Sequence, residues 1–555
     1  MLLIALLGVG VMLCNRGKAV TNTLIKRSRP GLAGLALLAL SACGNMGERT
    51  ADEPFEVTEA TIGGIQQAIL SGQTSCRAVV EAYLARIEAY DKSTGLNAIT
   101  VLNPGALARA DELDTALAAG EELGSLFCAP MLIKDNYDTF DMVTTGGSIA
   151  LRYSIPPDDA FMVARLREAD AILIAKTNMA EWAFSPRQTI SSSFGTTANA
   201  YDQTRVPAGS SGGTASGVAA SFGVAGMGSD TGNSIRGPAS HLALFGIRST
   251  IGLTSRDGII PLAFDRDIAG PMTRTVEDAA RIFNVVAGYD PADSLTEGGR
   301  GKREEDYTKF LKADGLQGIR LGVLRALVNT EDADAEITTL FERSLTELTA
   351  AGAVIIDDFE IPDLDAHLGG NYFCPRFRYD MWVYLRSLGD NAPIHDVMEV
   401  MEDGRYSDHA ESGLEYFADY PLDLSPDEWD EPCPTFPNHE GRNGFLADVV
   451  AAMDAAGIDA IIYPGWTNPP APLDNAVEDY KGDNSQLIAP ATGMPAVTIP
   501  MGFWQDRLPA GLQILGRPWS EGLLFQLAYA YEQATHHRRP PADYPSLALE
   551  EPTKD

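Results

Sequence analysis

The sequence predicts an α/β fold built as one large domain, and three observations carry that reading. Segments of helical period alternate with short apolar runs: helix then strand from Asp158 to Asn178, strand Gly318–Leu324, helix Ala333–Ala351, strand Ala353–Asp357 and strand Ala460–Tyr463. The runs are short and almost wholly apolar, the pattern of strands in a sheet covered on both faces. Across its 555 residues the chain shows no internal repeat and no low-complexity linker dividing it after its first residues, a length that suits one large domain. The balance of 42 basic to 76 acidic residues leaves a net charge of −34. Such a surface argues against a nucleic-acid partner and favours neutral or cationic small substrates over anionic ones.

The first 43 residues read as a segment outside the fold. Basic residues Lys26, Arg27 and Arg29 precede the apolar run Gly31–Leu40, which ends in Leu40-Ser41-Ala42-Cys43. The run is shorter than the ~20 residues that span a bilayer, and the pattern resembles a bacterial lipoprotein signal peptide with Cys43 as the lipidated residue. The expectation is an exported protein held on the periplasmic face of the envelope by a lipid anchor alone. A second apolar run, Met1–Leu13, fits neither a signal nor a span. Residues 44–56 are polar enough for a flexible tether, and the folded domain is expected over 57–545.

Helical period begins near Thr61, continues through Arg77–Tyr90 and returns over Gly105–Leu117. Apolar Met131-Leu132-Ile133 then reads as a strand that delivers Lys134 at its end. Thr177–Trp182 follows the next strand and is compatible with a helix start. Gly270-Pro271 reads as a turn, and Thr275 as the cap of a helix with Asp278 three residues on. Residues 358–440 break the alternation. They hold the aromatics Tyr372, Phe373, Phe377, Tyr379, Trp382 and Tyr384, then an acidic, proline-rich stretch over Asp423–Pro437. An aromatic cluster of this kind is more often core than pocket.

The most informative stretch is Ala208–His241. Ser210 and Ser211 lie between glycines; an apolar run follows that fits a helix and a buried strand; then come Asp230-Thr231-Gly232-Asn233-Ser234-Ile235-Arg236. Clustered glycines let backbone N–H groups converge, which is what an oxyanion needs, and a neighbouring serine hydroxyl can be a nucleophile. A phosphate loop is unsupported, since no Gly-Lys-Ser/Thr follows. A nucleophile elbow fails because Arg236 stands where it would need glycine. His241 lies seven positions after Ser234 and nothing in the sequence places it within reach.

These motifs resemble the signature of the amidase signature family, whose members carry GGSSGGS and then DTGGSIR. The resemblance extends, with gaps, from about residue 57 to 540 through stretches such as LNAITVLNPGALARADELD, GPMTRTVEDA and GMPAVTIPMGF. It implies a mixed, twisted β-sheet covered by α-helices on both faces. It also implies a metal-free, cofactor-free hydrolase of carboxylic amides with a Ser234–Ser210–Lys134 triad. Ser234 would be the nucleophile, Ser210 the bridging serine after a cis peptide bond, and Lys134 the general base. The backbone of Thr231, Gly232, Asn233 and Ser234 would form the oxyanion hole, with Asp230 and Arg236 as supporting ion-paired residues. Residues 358–440 would be the substrate-specific excursion, and Thr177–Trp182 an element packed in support of the site. The chain departs from the family at Ala129, Ala208 and Asn233.

On this reading Lys134 must be neutral to act, so burial or a nearby cation has to depress its pKa from about 10.4. The expected partner is a small-molecule amide, with a homodimer possible. Two further readings share the fold: a glutaminase-type subunit of an amidotransferase, and an inactive envelope-anchored binding protein. No zinc-binding spacing occurs among the seven His and six Cys. Pairing among Cys76, Cys128, Cys374 and Cys433 is left open.

Overall fold

The computed structural model describes residues 55–370 and 372–547. The expectations for residues 1–43, Cys43 included, lie outside these residues, as does nearly all of the expected tether. Phe55, assigned to that tether, already packs against the main core.

Thirteen strands form among the described residues. The first half of the chain contributes β1 (Ile99–Leu102), β2 (Pro130–Lys134), β3 (Ile172–Thr177), the small hairpin β4 (Thr189–Ser191) and β5 (Gly195–Thr197), β6 (Ala225–Asp230), β7 (Phe245–Arg248) and β8 (Ile268–Thr273). The second half contributes β9 (Arg320–Val323), β10 (Val354–Ile356), β11 (Ala460–Pro464), β12 (Ala496–Trp504) and β13 (Leu508–Leu515). Eleven of them make one sheet in the order β1-β3-β2-β6-β8-β7-β12-β13-β11-β9-β10. The sheet is mixed: β2 runs parallel to β3 and β6, and β9 to β10 and β11, while β8 is antiparallel to β6 and β7.

Every residue of β2, β3, β6, β7, β8, β11 and β13 is buried. Successive side chains of a strand point to opposite faces, so burial at every position means cover on both. Helices Gly212–Ala219, Val276–Val286, Ala335–Ala350 and Glu521–Thr535 are among those that supply it. Their ends follow local chemistry. The Thr275 hydroxyl accepts from the N–H of Asp278, and Gly457 closes the helix Glu440–Ala456 in the left-handed conformation at φ 60°.

One expectation fails here. Gly270-Pro271 is not a turn but the middle of β8, where Pro271 faces Met227 of β6. The β7 ladder reaches only Thr273 and Met272 of β8, so Pro271 lies just past it, where a missing N–H is better tolerated.

The excursion divides by burial. Phe377 and Tyr384 belong to a second core with Leu151, Trp182 and Leu262. Trp382 is half-buried beside Tyr379, whereas Phe373 reaches the cavity described below. Disulfides join Cys76 to Cys128 and Cys374 to Cys433. The buried Arg86 guanidinium donates to the carbonyls of Ala220 and Ser221 and to those of Tyr544 and Pro545, near the end of the described residues.

The helix Gly212–Ala219 is buried at all its residues, and the close fit needs glycine. A Cβ on Gly213 would sit 2.2 Å from the Asn178 carbonyl oxygen, whereas Gly444, on an exposed helix face, has nothing within 4 Å. We expect Gly213→Ala to cost at least about 2 kcal/mol in urea unfolding or to prevent folding. Gly444→Ala should instead gain about 0.5–1 kcal/mol.

Candidate active site

β2, between β3 and β6, ends at Lys134, whose side chain is fully buried. Its Nζ donates to Ser210 Oγ at 2.7 Å and to Ser229 Oγ at 2.8 Å. Burial pushes the ammonium pKa down to about 7, although the carboxylates of Asp267 and Asp230 pull it back up. Ser210 follows a cis peptide bond at Gly209, and Ala208 before it stands at φ 63°. That left-handed angle suits glycine, which is what the family carries at this position.

β6 ends at Asp230, and the loop Thr231–Ile235 leads into the short helix Arg236–His241. Asp230 is completely buried; it accepts from Arg236 Nε at 3.1 Å and Arg248 Nη1 at 2.9 Å. Burial alone would raise its pKa, but the two guanidiniums outweigh it and hold the carboxyl at about 2. Arg236 Nη2 also donates to the Gly232 carbonyl at 2.6 Å, which pins the loop from the inside. The N–H groups of Gly232, Asn233 and Ser234 have no protein acceptor among the described residues. Thr231, Gly232, Asn233 and Ser234 all line one cavity of about 250 Å³.

The structure therefore brings Lys134 and Ser210 into direct contact and sets Ser234 in the wall of the cavity. It does not join Ser210 to Ser234: among the described residues, the hydrogen bond of the Ser234 hydroxyl runs to Asn233 Oδ1 at 3.4 Å. Asn233 in turn donates from Nδ2 to Asp483 Oδ2 at 2.8 Å and to the Pro186 carbonyl at 3.1 Å. Burial raises the Asp483 carboxyl to about 7, where the Tyr480 hydroxyl donates to it at 2.8 Å. Asp230 and Arg236 lie beneath the loop as an ion pair. His241 packs against Trp466 with ring centroids 4.3 Å apart and the rings tilted by 37°. Neither of its nitrogens is bonded, and burial depresses it to about 3, so it stays neutral.

Sequence reasoning missed Ser229, Asp267, Arg266, Asp483 and Gln486. Thr231 Oγ1 donates to Asp267 Oδ1 at 2.5 Å, and burial lifts that carboxyl to about 6. A Cβ on Gly232 would lie 2.4 Å from Gln486 Oε1, so a larger residue there would make the end of the Gln486 side chain move. Ser229 was within sight, one residue before the second motif; the others come from segments without a recognisable pattern. Among the described residues no group of three or more His, Cys, Asp or Glu side chains is placed to hold a metal ion.

Comparison with known proteins adds an independent line. The family model described as Amidase matches residues 78–525. A glutamyl-tRNA(Gln) amidotransferase subunit of Alkaliphilus metalliredigens is 34% identical over 497 residues, covering 86% of this chain and 97% of its own length. Native peptide amidase from Stenotrophomonas maltophilia superposes with a TM-score of 0.77 at 34% identity, over 88% of this chain and 99% of its own. The corresponding glutamyl-tRNA(Gln) amidotransferase subunit from Thermotoga maritima superposes with a TM-score of 0.65 at 25% identity, over 86% and 96%.

These findings overturn the expected location. The relative from Alkaliphilus carries a name that ties it to glutamyl-tRNA(Gln), not to a cell envelope. Among the described residues no helix is long and apolar enough to cross a membrane. The exported, lipid-anchored, periplasmic placement is withdrawn. It rested on a short apolar run after basic residues and on a four-residue box, a pattern with little information against a whole chain of matches. A family model spanning residues 78–525, and a relative of 34% identity matched over nearly its full length, place the chain in the Amidase family.

Proposed function

We propose that this chain hydrolyses a carboxamide through an acyl-enzyme on Ser234. The observation that carries the reading is the buried 2.7 Å contact between Lys134 Nζ and Ser210 Oγ. It couples a lysine poised near neutrality to the serine that this reading makes the bridge to the nucleophile. Neutral Lys134 takes the proton of Ser210 while Ser210 takes that of Ser234, whose oxygen bonds to the carbonyl carbon. The Ser234 hydroxyl must first turn from Asn233 Oδ1 towards Ser210. The free N–H groups of the Thr231–Ser234 loop receive the oxyanion, a contribution of about 3–4 kcal/mol per donor in comparable sites. Return of the proton through Ser210 releases ammonia or amine, and water, activated by the same relay, cleaves the ester.

Two substrates fit this chemistry. The sequence relatives favour glutamine, with the chain serving as the glutamine-hydrolysing member of an amidotransferase complex. An exported location would count against this reading, and that expectation is withdrawn. The net charge of −34 then leaves any contact with tRNA to the other members of such a complex. The higher TM-score with peptide amidase, 0.77 against 0.65, favours a peptide amide and a chain that acts alone. Ammonia release from glutamine and from peptide amides by the purified chain separates the two.

Ser234→Ala should abolish turnover. Lys134→Ala and Ser210→Ala should each lower kcat by about 10³-fold or more, and the double variant should be little worse than either. Near-normal activity in Ser234→Ala overturns the mechanism.

The pH dependence has a definite sign. The Lys134 ammonium is depressed to about 7, so the base form accumulates above that pH and activity should rise through it. Asp267 and Asp483 titrate nearby, at about 6 and about 7. The acidic limb of kcat/KM should therefore disappear from the residual activity of Lys134→Met yet persist in Asp483→Asn. The opposite pattern would assign the limb to Asp483.

A further inference from the structure

The cavity at Ser234 has apolar walls from Phe184, Leu262, Phe373 and Phe417, and Arg266 brings a guanidinium to it. The backbone of Arg266 is firmly held: its N–H donates to the Ala263 carbonyl at 2.8 Å, and its carbonyl accepts from Arg248 Nη2 at 2.7 Å. The side chain meets no carboxylate among the described residues: its Cζ lies 5.7 Å from the centroid of the Phe373 ring, and its hydrogen bonds go to carbonyls. Nε donates to the Thr231 carbonyl at 3.1 Å, and Nη1 has a long contact of 3.5 Å with the Tyr372 carbonyl.

The neighbouring arginines are paired: Arg236 and Arg248 with Asp230, Arg256 with Asp293, Arg376 with Asp380 and Arg442 with Asp265. Arg266 forms no ion pair among the described residues. The carboxylates close to the cavity are committed elsewhere. Asp267 accepts from Thr231 and from the N–H groups of Leu262 and Ala263, and Asp483 from Asn233 and Tyr480. Burial and the cations Arg442 and Arg248 depress the Arg266 guanidinium to about 9, against the pull of Asp265 and Asp230. It is still charged at neutral pH, and an anion beside it would relieve that unfavourable setting.

We infer that Arg266 recognises a carboxylate on the substrate, so that the preferred amide is a monoamide of a dicarboxylic acid or a related amino acid. This rests on the carboxamide hydrolysis proposed above and names the substrate class. The planar guanidinium fork matches a carboxylate, and one cationic side chain in a lining otherwise made of neutral residues suits one negative charge better than a phosphate dianion. The hydrocarbon spacer of such a substrate would lie against Phe184, Phe373 and Phe417. The acidic surface disfavours anions at long range, but inside the cavity the local cation decides. Through its bond to the Thr231 carbonyl, Arg266 also touches the loop that holds Ser234.

The test uses the full chain and a matched pair of substrates, glutaric acid monoamide and its neutral methyl ester, with kcat/KM measured for wild type, Arg266→Met and Arg266→Lys. Wild type should prefer the carboxylate roughly 10- to 100-fold, the range of a charge-assisted contact. Arg266→Met should bring the ratio close to unity, and Arg266→Lys should restore part of it. The proposal is overturned if wild type shows no preference, or if the ratio survives in Arg266→Met. It is equally overturned if both substrates fall together with the rate of fluorophosphonate labelling of Ser234, the mark of a structural role. Failure of the underlying amidase reading looks different: wild type then hydrolyses neither amide and takes no label at Ser234, and the proposal falls with it.

Discussion

The site depends on one buried carboxylate. Asp230 ends β6 inside the protein, and its two oxygens accept from both Arg236 and Arg248 as well as from the backbone of Ile235. A lone carboxylate there would be untenable. Flanked by two guanidiniums it is held ionised, and removing one partner of such a buried cluster typically costs about 3–5 kcal/mol. The arginines then reach outward: Arg236 to the Gly232 carbonyl and to Gln513 of β13, Arg248 to the carbonyl of Arg266. The loop that holds Ser234 is thus shaped from below, by charges that never touch the cavity.

Lys134 shows why burial alone does not make a base. Lys176, on the neighbouring β3, is also fully buried, and burial lowers it to about 8 against the pull of Asp135 and Asp138. Its Nζ donates to the Tyr137 carbonyl and the Thr144 hydroxyl, inside the scaffold. Lys134 differs in what its ammonium meets: Ser210 and Ser229. Similar desolvation leaves one lysine bonded within the scaffold and the other bonded to Ser210 and Ser229, beside the loop we propose to be reactive. The parallel pairing of β2 and β3 in register, Lys134 beside Thr177 and Ile133 beside Lys176, sets that difference.

Much of the scaffold was legible because it is local. β2, β3 and β11 announce themselves as apolar runs, and Thr275 with Asp278 marks a helix start through contacts three residues apart. The glycines around Ser210 and Ser234 point to converging backbone, and the resemblance of their motifs adds the lysine. What stayed hidden is non-local. Arg266 and Asp483 reach the loop from 32 and 249 positions beyond Ser234, with no periodicity or spacing to mark them. Pro271 was misread because proline usually breaks a strand, and only the ladder of β7 shows why it is tolerated. The N-terminal pattern misled for the opposite reason: it is purely local, and nothing in the rest of the chain weighed against it.

The clamp around Arg86 has a mechanical consequence. One guanidinium grips the carbonyls just after the helix Gly212–Ala219 and, with its other hydrogen bonds, the carbonyls of Tyr544 and Pro545. That helix begins two residues after Ser210, so the serine bonded to Lys134 sits at one tip of a rigid rod whose other tip is lashed to the strap Tyr544–Pro545. The strap also meets the first of the described residues, Ser546 bonding to Thr58. A protease that trimmed this strap, or a circular permutation that severed it, would strip a buried cation of two acceptors and loosen the rod at its anchored end. A short linker joining residues 547 and 55 would leave the lashing whole.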